Sequence, residues 1–204
     1  MKSVSIDEAD ESGDSEISRH ELTEPLGTTH VAINYYRLAP EEGLPGGLHT
    51  HMDQEEVFVV IEGKAAFEMY PSIDAENEEG KTVTINAGEA IRFAPGEFRS
   101  GKNESDDELV ILALGAPRDS NEVRFPVDCP DCGLGELGFE MTDDGPLFVC
   151  PECDTERLPD PCPDCGEDGL HVELSDENRS IVVCGECGAE FDTPPTTRLS
   201  GGTE

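Results

Sequence analysis

The chain has 204 residues and a formal net charge of −34, from 47 acidic side chains against 13 basic ones. No stretch of 18 apolar residues occurs, so no segment reads as a membrane-spanning helix, and the length suits one barrel-sized domain with something smaller attached. The acids are spread over every segment. A surface suited to molar salt has that character, because the Debye length there falls to roughly 3 Å and self-repulsion is screened.

The first sixteen residues, MKSVSIDEADESGDSE, carry no apolar stretch of the kind that directs secretion, so the cytosol is the expected compartment. Residues 1–24 mix acidic and polar side chains with isolated apolar ones and are expected to form a disordered or loosely attached arm, with His20 solvated. From Thr28 the sequence THVAINYYRLAP alternates like a strand, with Val31, Ile33 and Tyr35 on one face and His30, Ala32, Asn34 and Tyr36 on the other. His30 is therefore a candidate third imidazole for any site in a barrel lumen.

Next comes GLPGGLHTHMDQEEVFVVIEG, from Gly43 to Gly63. His49 and His51 are two apart and share a face of an extended strand. Glu56 follows, and Val57–Ile61 reads as a buried strand ending at the Glu62-Gly63 turn. The spacing Gly43, five residues, His49, one residue, His51, four residues, Glu56, six residues, Gly63 resembles the first motif of the cupins. Those are small β-barrels or jelly rolls whose lumen often holds a divalent metal on two His, one Glu and a later His. Gly88 to Asn103, GEAIRFAPGEFRSGKN, resembles the second cupin motif at Gly88, Gly96 and Asn103, but Ala94 stands in place of a Pro and Arg99 in place of the third metal-binding His.

Lys64–Tyr70, Thr82–Asn86, Glu89–Ala94 and Leu109–Leu114 read as further strands, with an acidic loop from Pro71 to Lys81. Short strands separated by Gly, Pro and Asp, without a helical period, indicate an all-β barrel over about residues 25–117, followed by a short polar connection at 118–127.

All eight cysteines lie beyond that connection, as four CxxC pairs: Cys129/Cys132, Cys150/Cys153, Cys162/Cys165 and Cys184/Cys187. CPDCGLGELGFEM matches CPDCGEDGLHVEL and LFVCPEC matches IVVCGEC, so the segment is a tandem repeat over 128–157 and 161–193, with 194–204 as a tail. Two thiolates two residues apart chelate one ion from a tight turn, and a hairpin returns the second pair to complete a tetrahedron. Each copy resembles a zinc ribbon. Two structural Zn²⁺ are expected; iron and a nested pairing of the CxxC motifs are the alternatives, and His171 is expected to be solvated.

The fold expected is thus all-β, a cupin-type barrel followed by two zinc-ribbon hairpins. The resemblance implies a small-molecule ligand, a homodimer through the barrel and, on His49, His51 and Glu56, a third divalent metal. A dioxygenase, isomerase or decarboxylase would be the corresponding enzyme, with Arg99 free to pair with a substrate carboxylate or phosphate. The competing reading is that Arg99 replaces the metal and pairs with Glu56, making the barrel a ligand-sensing or scaffold module whose ribbons contact a protein partner. Residues 128–193 offer only Arg157 and Arg179 to a phosphate backbone, so nucleic acid is not expected. Four lysines, no Trp and an acidic surface over folded motifs resemble cytosolic proteins of salt-accumulating halophilic archaea.

Overall fold

The computed structural model describes residues 1–6, 18–71 and 80–199. Nine strands build the barrel: β1 (Ser18–Glu21), β2 (Ala32–Leu38), β3 (Thr50–His51), β4 (Glu55–Glu62), β5 (Lys64–Tyr70), β6 (Lys81–Asn86), β7 (Ala90–Phe93), β8 (Phe98–Lys102) and β9 (Leu109–Ala116), with a single-turn helix α1 (Thr23–Leu26) between β1 and β2. One sheet runs β1-β2-β9-β4-β7 and faces a second of order β6-β5-β8. Their inner faces meet on Phe58, Phe67 and Phe93, whose ring centroids lie 5.1–6.0 Å apart, closed over by Leu38, Val60, Leu109 and Ile111. The β4–β5 turn requires Gly63, at φ 76°, because a Cβ there would sit 2.5 Å from the Glu108 carbonyl oxygen.

The expected arm at 1–24 is corrected in part. Ser18–Glu21 pairs antiparallel with β2, setting His20 opposite Tyr35, and His20 is buried instead of solvated. The isolated apolar residues Val4, Ile6, Leu22 and Leu26 pack together on Tyr35, Val110 and Leu112. Few as they are, they gain burial because the outer face of β2 and β9 is apolar too. Residues 7–17 of that arm, and 72–79 of the acidic loop, lie outside the described residues.

The connection at 118–127 also contains a strand, β10 (Val123–Phe125), which pairs antiparallel with β3 on one side and with β11 (Leu137–Thr142) on the other. The first ribbon continues through β12 (Gly145–Val149) and β13 (Glu156–Pro159), and the second consists of β14 (Leu170–Leu174), β15 (Ser180–Cys184) and β16 (Glu190–Phe191). The last strand, β17 (Thr196–Arg198), lies in the expected tail and returns to pair with β13. A six-stranded sheet, β17-β13-β12-β11-β10-β3, therefore runs from the first ribbon into the barrel rim.

The second ribbon docks on the same rim. Leu48 N–H donates to the Val172 carbonyl at 2.6 Å, and Gly47, at φ 62°, admits that contact because a Cβ would come within 2.7 Å of the same oxygen. Leu48 and Phe98 of the barrel share one core with Val127, Leu137, Val172 and Val182 of the ribbons. Among the described residues the fold is all-β apart from one turn of helix, as expected. Among the described residues no helix is long and apolar enough to cross a membrane.

Candidate functional site

Each ribbon brings its four cysteines together. The Sγ atoms of Cys129, Cys132, Cys150 and Cys153 lie within 4.8 Å of one another, as do those of Cys162, Cys165, Cys184 and Cys187. The pairing is sequential, not nested. Three knuckles close on a glycine N–H that donates back to the first cysteine carbonyl at 2.8 Å: Gly133 to Cys129, Gly166 to Cys162 and Gly188 to Cys184. The fourth knuckle uses Asp154, at φ 55°, in the same role toward Cys150. The Thr155 hydroxyl, 3.3 Å from Cys153 Sγ, and its backbone hydrogen bond draw that thiol down to about 7, which favours the thiolate a metal needs. Both four-sulfur groups fit a metal ion.

The barrel site is assembled from three strands and the segment just before β3. Backbone hydrogen bonds in both directions tie His49 to Arg99 near the start of β8, His51 lies in β3 and Glu56 enters at the start of β4. His49 Nδ1–H donates to the Gly47 carbonyl at 2.8 Å. His51 Nδ1–H donates to Ser120 Oγ at 2.7 Å, and Ser120 in turn donates to Asp53. Both Nε2 atoms are thereby left as lone pairs, and that of His51 lies 3.8 Å from the Glu56 carboxylate. Burial, reinforced by the Arg99 charge, holds His49 well below the usual imidazole range and His51 at about 4.

Arg99 decides what this triad can hold. Its side chain is 4 % exposed, Nη2 forms an ion pair with Glu56, and Nη1 donates to the His49 carbonyl at 2.6 Å. Burial pulls the guanidinium down to about 9, which still leaves it charged at neutral pH. The one carboxylate of the triad is thus already engaged by a buried cation. The His49 and His51 rings lie 5.4 Å apart and His51 Nε2 3.8 Å from the Glu56 carboxylate, but beside that cation the set does not fit a divalent ion.

His30 is exposed and precedes β2, which begins at Ala32, so it stands outside the lumen. His171 is half-exposed, 3.4 Å from the Glu173 carboxylate. The sequence reading missed Arg19, Asn34, Tyr36 and Arg118, which with His49, His51, Gln54, Glu56 and Arg99 line a cavity of about 300 Å³ in the barrel. Arg19 belongs to the supposed arm and Arg118 to the supposed connection. For Arg19 the available signal was a lone arginine in an acidic stretch, and for Asn34 and Tyr36 the alternation that put them on one strand face.

The family model described as a cupin domain matches residues 34–115. The barrel is a cupin domain. Among solved structures, an uncharacterized conserved protein with a double-stranded β-helix domain from Klebsiella pneumoniae is 19% identical, with a TM-score of 0.44 over 58% of this chain and 86% of its own. A sugar phosphate isomerase of a cupin superfamily from Silicibacter pomeroyi is 18% identical, with a TM-score of 0.48 over 68% of this chain and 78% of its own. No curated protein matches the chain. It is therefore a cupin-domain protein carrying two four-cysteine sites that could hold metal ions.

Proposed function

We propose that the cupin barrel is a metal-free binding module for a small molecule, braced by two ribbons that each hold one structural zinc. The observation that carries this reading is the buried Arg99 guanidinium seated on Glu56 and on the His49 carbonyl. A guanidinium in that position is a resident cation. It compensates the buried carboxylate and would repel a divalent ion placed on the same three side chains. The alternative, a third divalent metal serving a dioxygenase, isomerase or decarboxylase, would first have to displace Arg99 from Glu56. In the ribbons, four thiolates leave no open coordination position, so their metals serve structure.

The role beyond binding is that of a sensing or scaffold module. Both ribbons attach to the segment that carries the two imidazoles, the first through the β10–β3 pairing and the second through Leu48 to Val172. A ligand that reorders the cavity would be felt by the ribbon faces, to which a protein partner would bind. Dimerisation through the barrel edge and a cytosolic, molar-salt setting complete the reading.

Elemental analysis of untagged protein purified in molar KCl tests it. About two zinc ions per chain are expected, with a third metal only in Arg99→His. A third metal already in the wild type, lost in His49→Ala, would overturn the metal-free reading. The same preparation dialysed to low salt is expected to unfold.

A further inference from the structure

The barrel cavity inverts the charge of the protein around it. Acidic side chains outnumber basic ones 47 to 13 over the chain, yet three of its nine arginines, Arg19, Arg99 and Arg118, line this cavity and Glu56 is the one carboxylate in its wall. Among the described residues the lining itself thus carries more guanidinium groups than carboxylates, inside a molecule of net charge −34.

The three arginines are not equivalent. Arg99 is answered by Glu56. Arg118 pairs with Glu24 and with Asp119 at 3.3 Å, and donates to the Thr28 carbonyl at 3.0 Å. Among the described residues no carboxylate pairs with Arg19. Its Nε and Nη2 both donate to the Asn34 side-chain oxygen, at 3.2 and 2.9 Å, and its guanidinium lies 5.9 Å from the centre of the Tyr36 ring. A neutral amide and an aromatic face hold the fork in a set orientation without neutralising it.

A planar cation fixed in place at a cavity wall by a neutral amide and an aromatic ring, with no carboxylate among the described residues paired to it, is arranged to receive an anion from outside. We infer that the cavity binds a small organic oxyanion whose carboxylate or phosphate group is taken by Arg19. The cavity size stands at the small end of ligand pockets, which suits a compact metabolite and not a polymer. This rests on the metal-free reading, since a divalent ion in the lumen would itself take the anion. Arg99 is spent on Glu56 and Arg118 on Glu24 and Asp119; Arg19 makes the contact.

Calorimetric titration of the full-length, zinc-loaded protein tests this, in molar KCl so that diffuse attraction is screened and directed hydrogen bonds remain. The probes are inorganic phosphate and succinate, with glycerol as a neutral control. Saturable binding of at least one anion is expected, weakened about tenfold or more in Arg19→Gln, partly kept in Arg19→Lys, and unchanged in Arg92→Gln, an exposed arginine paired with Glu55. The tighter of the two anions names the group recognised. Binding of neither anion, equal binding by Arg19→Gln, or an equal loss in Arg92→Gln would overturn the inference. Two zinc ions with no anion binding would sink it alone, whereas anion binding that required a third metal would sink the metal-free reading with it.

Discussion

The two kinds of site read from the sequence as metal centres have different fates in the fold, and the difference lies in how each is assembled. A ribbon knuckle is local: two cysteines, a residue able to take positive φ and one backbone hydrogen bond complete half of the site within five residues. One hairpin supplies the other half. The barrel site draws His49 and His51 from the rim, Glu56 from β4 and Arg99 from β8, so a single exchange on β8 bears on what the other three side chains can do. Four cysteines converge on a common point; two imidazoles and a carboxylate converge on a guanidinium.

The largest effect that would sharpen this contrast is removal of whatever metal the two four-cysteine sites hold. Metal binding worth about 10–16 kcal/mol in comparable modules provides the folding energy of segments this small. Chelation, or Cys150→Ser and Cys184→Ser together, is expected to unfold the ribbons and to expose the Gly46–His51 segment of the barrel, which leans on β10 and on Val172. Hydrogen exchange would check it: full protection of Leu48 and Thr50 after zinc loss would mean that barrel and ribbons are energetically independent.

Next in size is the Arg99–Glu56 pair. Arg99→Met strands a buried carboxylate and is expected to cost about 3–5 kcal/mol, while Arg99→Met with Glu56→Gln should recover much of that loss. Denaturant titration of the wild type and the three variants measures the coupling. Additive single and double costs would show that Arg99 is not the cation compensating Glu56.

A smaller effect is expected from pH. His51 sits at about 4 in the folded protein against an ordinary 6.5, so the unfolded chain takes up a proton that the native state refuses over that range. The stability from burying this neutral ring is complete above about pH 6.5 and is lost as pH falls toward 4, on the order of 1–2 kcal/mol after allowing for its partial exposure. His49, more deeply buried and also held low, acts in the same direction. Melting temperatures across that range should fall less for His51→Gln than for the wild type; an equal fall would place the sensitive group elsewhere.

Much of this molecule was legible before any coordinates. The alternation of β2, the apolar run of β4, the turn at Gly63, the repeat of the ribbons and the sequential pairing of their cysteines all follow from local periods and spacings, and each is present in the fold. Illegible were the elements whose order depends on distant partners. Ser18–Glu21 is too polar to form a strand alone and does so because β2 offers a free edge, while Val123–Phe125 becomes a strand by bridging β3 and β11. Those two segments carry or flank Arg19 and Arg118, so the cationic half of the cavity was hidden with them.

By itself the sequence determined the chemistry that acts within one turn or one strand: the cysteine chelates, the glycine corners, and the set of His49, His51 and Glu56. Only the tertiary structure decided that Arg99 occupies Glu56 and that, among the described residues, no carboxylate pairs with Arg19, because the state of a charge is set by its neighbours in space, and these come from strands remote in the chain.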